Sequence, residues 1–238
     1  MKSGFKTIIR ILVALCYLIS ISFIAIYFVV ELNPNVELAP SGRVILLLSI
    51  CILTYIGSIL SCRVFGLKQG SRLIRHFFWL FFILYLQLLL TLTEFDQMFG
   101  RNISSIFHPN SYITRLYLQN NVNLVPFKTI FEFISALFTH ELPVRVISVN
   151  LLGNICAFMP FAFFLPLFFK SMNVWKKFII CMVLIVITIE ILQLVFMTGS
   201  CDIDDLILNV SGAWIMYGIL KISKIQKFIK ALTMQDAN

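Results

Sequence analysis

Apolar residues run along this chain in long blocks broken by short polar punctuation. Residues 11–30, 44–61, 77–92, 147–169, 178–197 and 206–222 are each nearly continuous in Val, Ile, Leu, Phe and Met. An α-helix rises about 1.5 Å per residue, so blocks near twenty residues match a hydrocarbon core of about 30 Å. The pattern predicts an all-α, polytopic transmembrane helix bundle of about six spans. Asn33-Pro34 and Pro40-Ser41-Gly42 mark the first turn, and Arg63, Lys68, Arg72 and Arg75 read as a basic loop before the third span. Pro160 and Pro166 fall inside the fourth block, where each removes a backbone donor, so that span should kink.

Between residues 93 and 145 the hydropathy drops over a connection long by ordinary loop standards. Inside it, residues 127–138 (FKTIFEFISALF) are apolar but too short to span, which predicts an interfacial or re-entrant helix in this loop.

Composition agrees with the block pattern. Hydrophobic residues make up 60% of 238, charged residues 13%, and the mean hydropathy is +0.95. No soluble core of this size buries that much apolar surface. The net charge of +8 would suit a nucleic-acid partner, but its distribution removes that reading. Fourteen of the 19 Lys and Arg lie in the N-terminus, residues 63–75, residues 170–177 and the C-terminal segment; the other five lie on the alternate side. Ten of the 11 acidic residues fall on or near that second side. The positive-inside rule then expects a multi-pass cell-membrane protein with both termini cytoplasmic, its basic surplus facing the anionic inner leaflet.

The six cysteines form no CxxC pair, and His76, His108 and His140 lie far apart, so no metal site, disulfide framework or cofactor is expected. Asn102-Ile103-Ser104 matches a glycosylation sequon.

The candidate chemistry lies in residues 190–212. Glu190 interrupts an apolar run, and Gln193 shares its helix face at i+3. The turn carries Asp202, Asp204 and Asp205, with Asp202 placed to cap the last span and Asp205 in its first turn. Asn209 and Gly212 follow on that helix, while Asn150, Gly153 and Asn154 stand at i, i+3 and i+4 on the fourth, the glycine being suited to close helix approach. Topology and spacing bring these groups to one depth beneath the outer surface. A solvated turn with a helix cap would also account for the aspartates, and membrane amides commonly bridge helices. Glu190 is harder to place that way, because a carboxylate at that depth must be protonated, paired or facing a wet cavity.

Asn123-Leu124-Val125-Pro126-Phe127, Asn150-Leu151-Leu152-Gly153-Asn154 with Phe158 and Pro160, Glu190-x-x-Gln193, and Asp202-Ile203-Asp204-Asp205-Leu206-Ile207-Leu208-Asn209 with Gly212 together resemble the VanZ-like family. The likeness runs over residues 92–220 or so. It suggests a division into a two-span extension at 1–76, a VanZ-like transmembrane domain at 77–222 and a cytoplasmic basic tail at 223–238. It adds Asn123, Pro126 and Phe127 as a loop motif roofing the pocket. The family's namesake is associated with lowered susceptibility to teicoplanin and related lipoglycopeptides in Gram-positive bacteria.

On this basis the expected partners are membrane lipids and a lipid-linked cell-wall precursor or lipoglycopeptide at the outer leaflet. Two other classes stay open. An intramembrane enzyme would use Glu190 as general acid or base on a lipid head group, with the aspartates holding a divalent cation. A small transporter or flippase would use Glu190 as a proton-coupled site.

Overall fold

The computed structural model describes residues 3–33, 39–95 and 111–234. The sequon and His108 lie outside the described residues. Helices dominate the chain, and six of them, among the described residues, are long and apolar enough to cross a membrane: Gly4–Val30, Ser41–Phe65, Leu67–Thr93, Val144–Phe168, Trp175–Phe196 and Ile203–Leu220. The chain is an all-α, multi-pass membrane protein.

Two compact units divide the fold. The first comprises Met1–Leu88 with Gln226–Asn238. In it, α1 (Ser3–Leu32) and α2 (Pro40–Phe65) lie side by side, and Tyr27, Leu47, Ile50 and Leu84 form a buried cluster. Proline serves at the first turn of α2, where its missing N–H costs nothing. The basic stretch read as a loop is instead helical. A single residue separates α2 from α3 (Leu67–Leu90), so Lys68, Arg72 and Arg75 lie on the first turns of α3. Gly66 alone makes the junction, at φ +89°, a conformation that a side chain disfavours. The basic tail likewise holds a helix, Ser223–Thr233. The Leu232 carbonyl near its end accepts a hydrogen bond from the Tyr55 hydroxyl of α2 at 2.9 Å.

The second unit, Leu89–Ile225, carries the candidate site. It opens with a π-helical turn at Thr91–Phe95. The long connection then contains α4 (Ser111–Asn120), a two-residue strand β1 (Val122–Asn123) and α5 (Lys128–Thr139). The α5 helix matches the short apolar run of the sequence; α4 and β1 lack any such periodic signal. The fourth span is broken rather than bent, into α6 (Val144–Ala157) and α7 (Phe161–Phe168). The break falls just before Pro160, which offers no N–H to continue the ladder, whereas Pro166 is tolerated inside α7.

α8 (Trp175–Phe196) and α9 (Ile203–Leu220) complete the unit, joined by a turn that holds β2 (Cys201–Asp202). α9 packs against α6, α7 and α8. Its approach to α6 is close enough that a Cβ on Gly212 would collide with the Ile155 carbonyl. At the opposite end, Phe178 and Tyr217 stack with centroids 4.5 Å apart, and the Tyr217 hydroxyl donates to the Asn173 carbonyl at 2.6 Å.

Candidate functional site

The placement of Glu190 follows from the spacing of α8. Phe178, Met182, Val186, Glu190 and Gln193 are all buried, at steps of four, four, four and three residues, which is one helix stripe. Ile180, Leu184, Ile187, Ile191 and Val195 are exposed, as lipid-facing positions are. Glu190 therefore occupies a core position of an otherwise apolar stripe.

β1 and β2 pair in parallel, with Val122 opposite Cys201 and Asn123 opposite Asp202. The Cys201 N–H donates to the Asn121 carbonyl at 2.8 Å. The Tyr117 hydroxyl adds a second tie, donating to the Gly199 carbonyl and accepting from the Gly199 N–H. Each pairing is short, so the long connection is held on the α8–α9 turn chiefly by side chains.

Asp202 and Asp204 supply most of that hold. The Asp202 carboxylate caps α9 by accepting from the Asp204 N–H at 2.8 Å, the capping role its position predicts. It also accepts from Asn123 Nδ2 at 3.0 Å and from the Thr129 hydroxyl. Its own N–H donates to Glu190 Oε2 at 3.1 Å. The Asp204 carboxylate, 0% exposed, accepts from the N–H groups of Phe127 and Ile130. Those are unpaired donors at the start of α5, where the helix dipole favours an anion. Asp204 is thus an N-terminal cap contributed by a different helix.

The Asn123–Phe127 motif has a matching local logic. Asn123 Oδ1 accepts from the Val125 N–H at 3.1 Å, and Lys128 N–H reaches back to the Val125 carbonyl at 3.4 Å across Pro126 and Phe127. Phe127 has φ +66° and ψ 0°, the third-residue conformation of a type II turn with proline before it. Glycine is usual there; phenylalanine in the left-handed region costs about 1–2 kcal/mol. The Asp204 carboxylate on its N–H helps to hold it in place.

Beside this latch lies a cavity of about 180 Å3. Its polar lining is Thr93, Asn150, Asn154, Glu190, Gln193, Asp205 and Asn209, with Gly153 among them, and its apolar wall includes Leu89, Leu92, Val149, Phe158 and Ile189. Asn154 Nδ2 donates to Asp205, Gln193 Nε2 donates to the Thr93 carbonyl at 3.0 Å, and Asn150 Nδ2 donates to the Val146 carbonyl at 2.8 Å. Asn209 is 4% exposed, and its Oδ1 is buried with no hydrogen-bond partner among the described residues. Gly153 does not serve close helix packing, since a Cβ there would meet nothing within 4 Å; Gly212 has that role.

The residues singled out in the sequence thus separate into two sets. Asn150, Gly153, Asn154, Glu190, Gln193, Asp205 and Asn209 share the cavity. Asp202, Asp204, Asn123, Pro126 and Phe127 build the latch next to it, together with Thr129 and Tyr117, which no pattern in the sequence marked. Among the described residues no three His, Cys, Asp or Glu side chains converge as metal ligands. All six cysteines are free thiols. Burial pushes the Cys201 thiol above its ordinary range, and the neighbouring charges of Glu190, Asp202 and Asp205 push it the same way.

Fold and site define a membrane-embedded helical protein with a small polar cavity walled by its apolar spans. A family model described as VanZ/LLP1 matches residues 78–224, and the chain belongs to that family. Protein VanZ of Enterococcus faecium is 30% identical over 139 residues, which cover 57% of this chain and 70% of that protein. No solved structure matches.

Proposed function

We propose that this protein engages a lipid-linked or lipopeptide ligand at the outer leaflet through the Glu190 cavity, and so lowers susceptibility to teicoplanin and related lipoglycopeptides. The observation that carries this reading is the cavity itself, in which polar groups from three spans and the turn after α3 meet inside an apolar bundle. A protein needing only packing would fill such a space with apolar side chains, since each buried polar group costs free energy unless it is satisfied. Both termini lie in the cytoplasm on this proposal, as the Lys and Arg distribution favours, so the α8–α9 turn faces outward.

Binding is preferred to intramembrane catalysis on the use of the aspartates. Asp202 and Asp204 spend their oxygens on the start of α5, on Asn123 and on Thr129. That leaves the acidic turn as a fastening rather than a cation site.

The test is Glu190→Gln in a Gram-positive host lacking its own copy, at matched membrane abundance. The variant should lose most of the teicoplanin protection given by the unmodified chain. Equal protection from both proteins would overturn the proposal. Labelling of single cysteines placed in the 170–173 turn and at position 200 should mark only the second from outside the cell.

A further inference from the structure

We infer that the cavity is entered sideways from the bilayer. An amphiphile passes a small polar head group through a mouth at Val149 and Gly153 and leaves its chain in the lipid. This rests on the proposal that the cavity is a ligand site, and it adds the route and the kind of molecule that can use it.

The exposed face of α6 places the mouth. Val149, Leu152, Gly153 and Cys156 are exposed at i, i+3, i+4 and i+7, which is one side of a helix. Ile147 is buried on another side, and the Ile155 backbone lies against Gly212 of α9. Two members of the exposed face, Val149 and Gly153, also line the cavity. The cavity therefore runs from the outside of α6 to the buried stripe of α8 that holds Glu190.

The other flanks built by described residues are shut. At the α8–α9 turn Thr198, Asp202 and Asp204 are all buried. α6 and α9 approach too closely at Gly212 for a group to pass between them, and Asn154 ties the two helices through Asp205. Val149 and Gly153 are the sixth and tenth residues of the span Val144–Phe168, about 8 and 14 Å along the helix from Val144. A mouth at that level adjoins hydrocarbon rather than water.

Gly153 is what keeps it open. Glycine inside a helix is destabilising relative to alanine, and here no close packing explains it, since a Cβ would meet nothing within 4 Å. Any larger side chain would project into the opening. Size sets the class of occupant. Benzene fills a cavity of about 150 Å3, so one of about 180 Å3 takes a ring-sized polar group and no acyl chain. Lateral entry leaves that chain in the bilayer, so none of its apolar surface has to cross water.

The test uses the full-length protein in vesicles of phosphatidylglycerol and phosphatidylethanolamine, with Ile189→Cys placing a thiol on the buried wall of the cavity. The vesicles are treated with N-dodecylmaleimide or with a sulfonated maleimide, and labelling at residue 189 is read by peptide mass spectrometry. The dodecyl reagent should label about tenfold or more faster, because its chain holds it in the bilayer. Adding Gly153→Trp should remove most of that labelling, and adding Gly153→Ala should keep it. Leu152→Trp, exposed on the same helix but off the lining, should keep it too.

Equal or faster labelling by the sulfonated reagent overturns lateral entry. So does labelling by neither reagent, or labelling left unchanged by Gly153→Trp. In the teicoplanin assay Gly153→Trp should lose protection as Glu190→Gln does. If Glu190→Gln loses protection and Gly153→Trp keeps it, entry at Gly153 is overturned while the wider proposal stands. If Glu190→Gln keeps protection, the wider proposal falls, and the labelling result alone upholds or overturns the mouth.

Discussion

Replacing Asp204 tests whether the cavity's neighbouring loop is held from a distance by one carboxylate. In the native protein Asp204 accepts from the Phe127 and Ile130 N–H groups while fully buried. Hydrogen bonds to a charged acceptor contribute about 1.5–3 kcal/mol each, and an anion at a helix start adds up to about 2 kcal/mol in a partly buried setting. Removing the carboxylate also removes the cost of burying it, which offsets part of that sum. A net loss of about 2–4 kcal/mol for Asp204→Ala is therefore expected. It should be local, because Asp202 and the β1–β2 pair still tie the loop at its other end. Local opening at that cost raises amide exchange by about thirty- to several-hundred-fold. Hydrogen–deuterium exchange of peptides spanning residues 121–134 should show it, with Asp204→Asn in between. Unchanged exchange there would refute the reasoning. An equal rise through α8 would also refute it, since that would mean global loosening rather than release of the latch.

Two other substitutions probe neighbouring parts of the unit. Gly212→Ala should lower folded yield sharply, by about 3 kcal/mol or more, because its methyl would strike the rigid Ile155 backbone; recovery of well-folded protein by size-exclusion chromatography would contradict the close α6–α9 approach. Cys201 should react slowly with N-ethylmaleimide, since a raised thiol pKa leaves less thiolate at a given pH. Glu190→Gln removes one of the negative charges raising it, so the reaction should quicken at pH 8 in that variant, as followed by intact mass.

On the proposed function, the two sets of residues carry different expectations. Cavity residues such as Asn209 and Glu190 should tolerate substitution in the fold yet alter protection, and latch residues such as Asp204 should alter order first. Phe127 belongs with the latch. Its left-handed conformation is kept by the turn and by the carboxylate beneath it, so the strain is stored where α5 begins.

The sequence alone determined that this is a multi-pass helical membrane protein, since blocks of apolar residues near twenty long have few other solutions in water or lipid. It also determined that Glu190 and Gln193 share a face, and that Asp202 caps α9, because both follow from helical spacing and local chemistry. The helical start of α3 was hidden because basic first turns read as loop, although Gly66 is the actual junction. Tertiary structure decided the rest. Whether an aspartate faces the cavity or the α5 backbone depends on which N–H groups lie opposite, and those come from residues some seventy to eighty positions away. That close packing falls to Gly212, while Gly153 lines the cavity, has the same origin: helix spacing says which positions share a face, but only the packed neighbour says whether that face meets a backbone or a cavity.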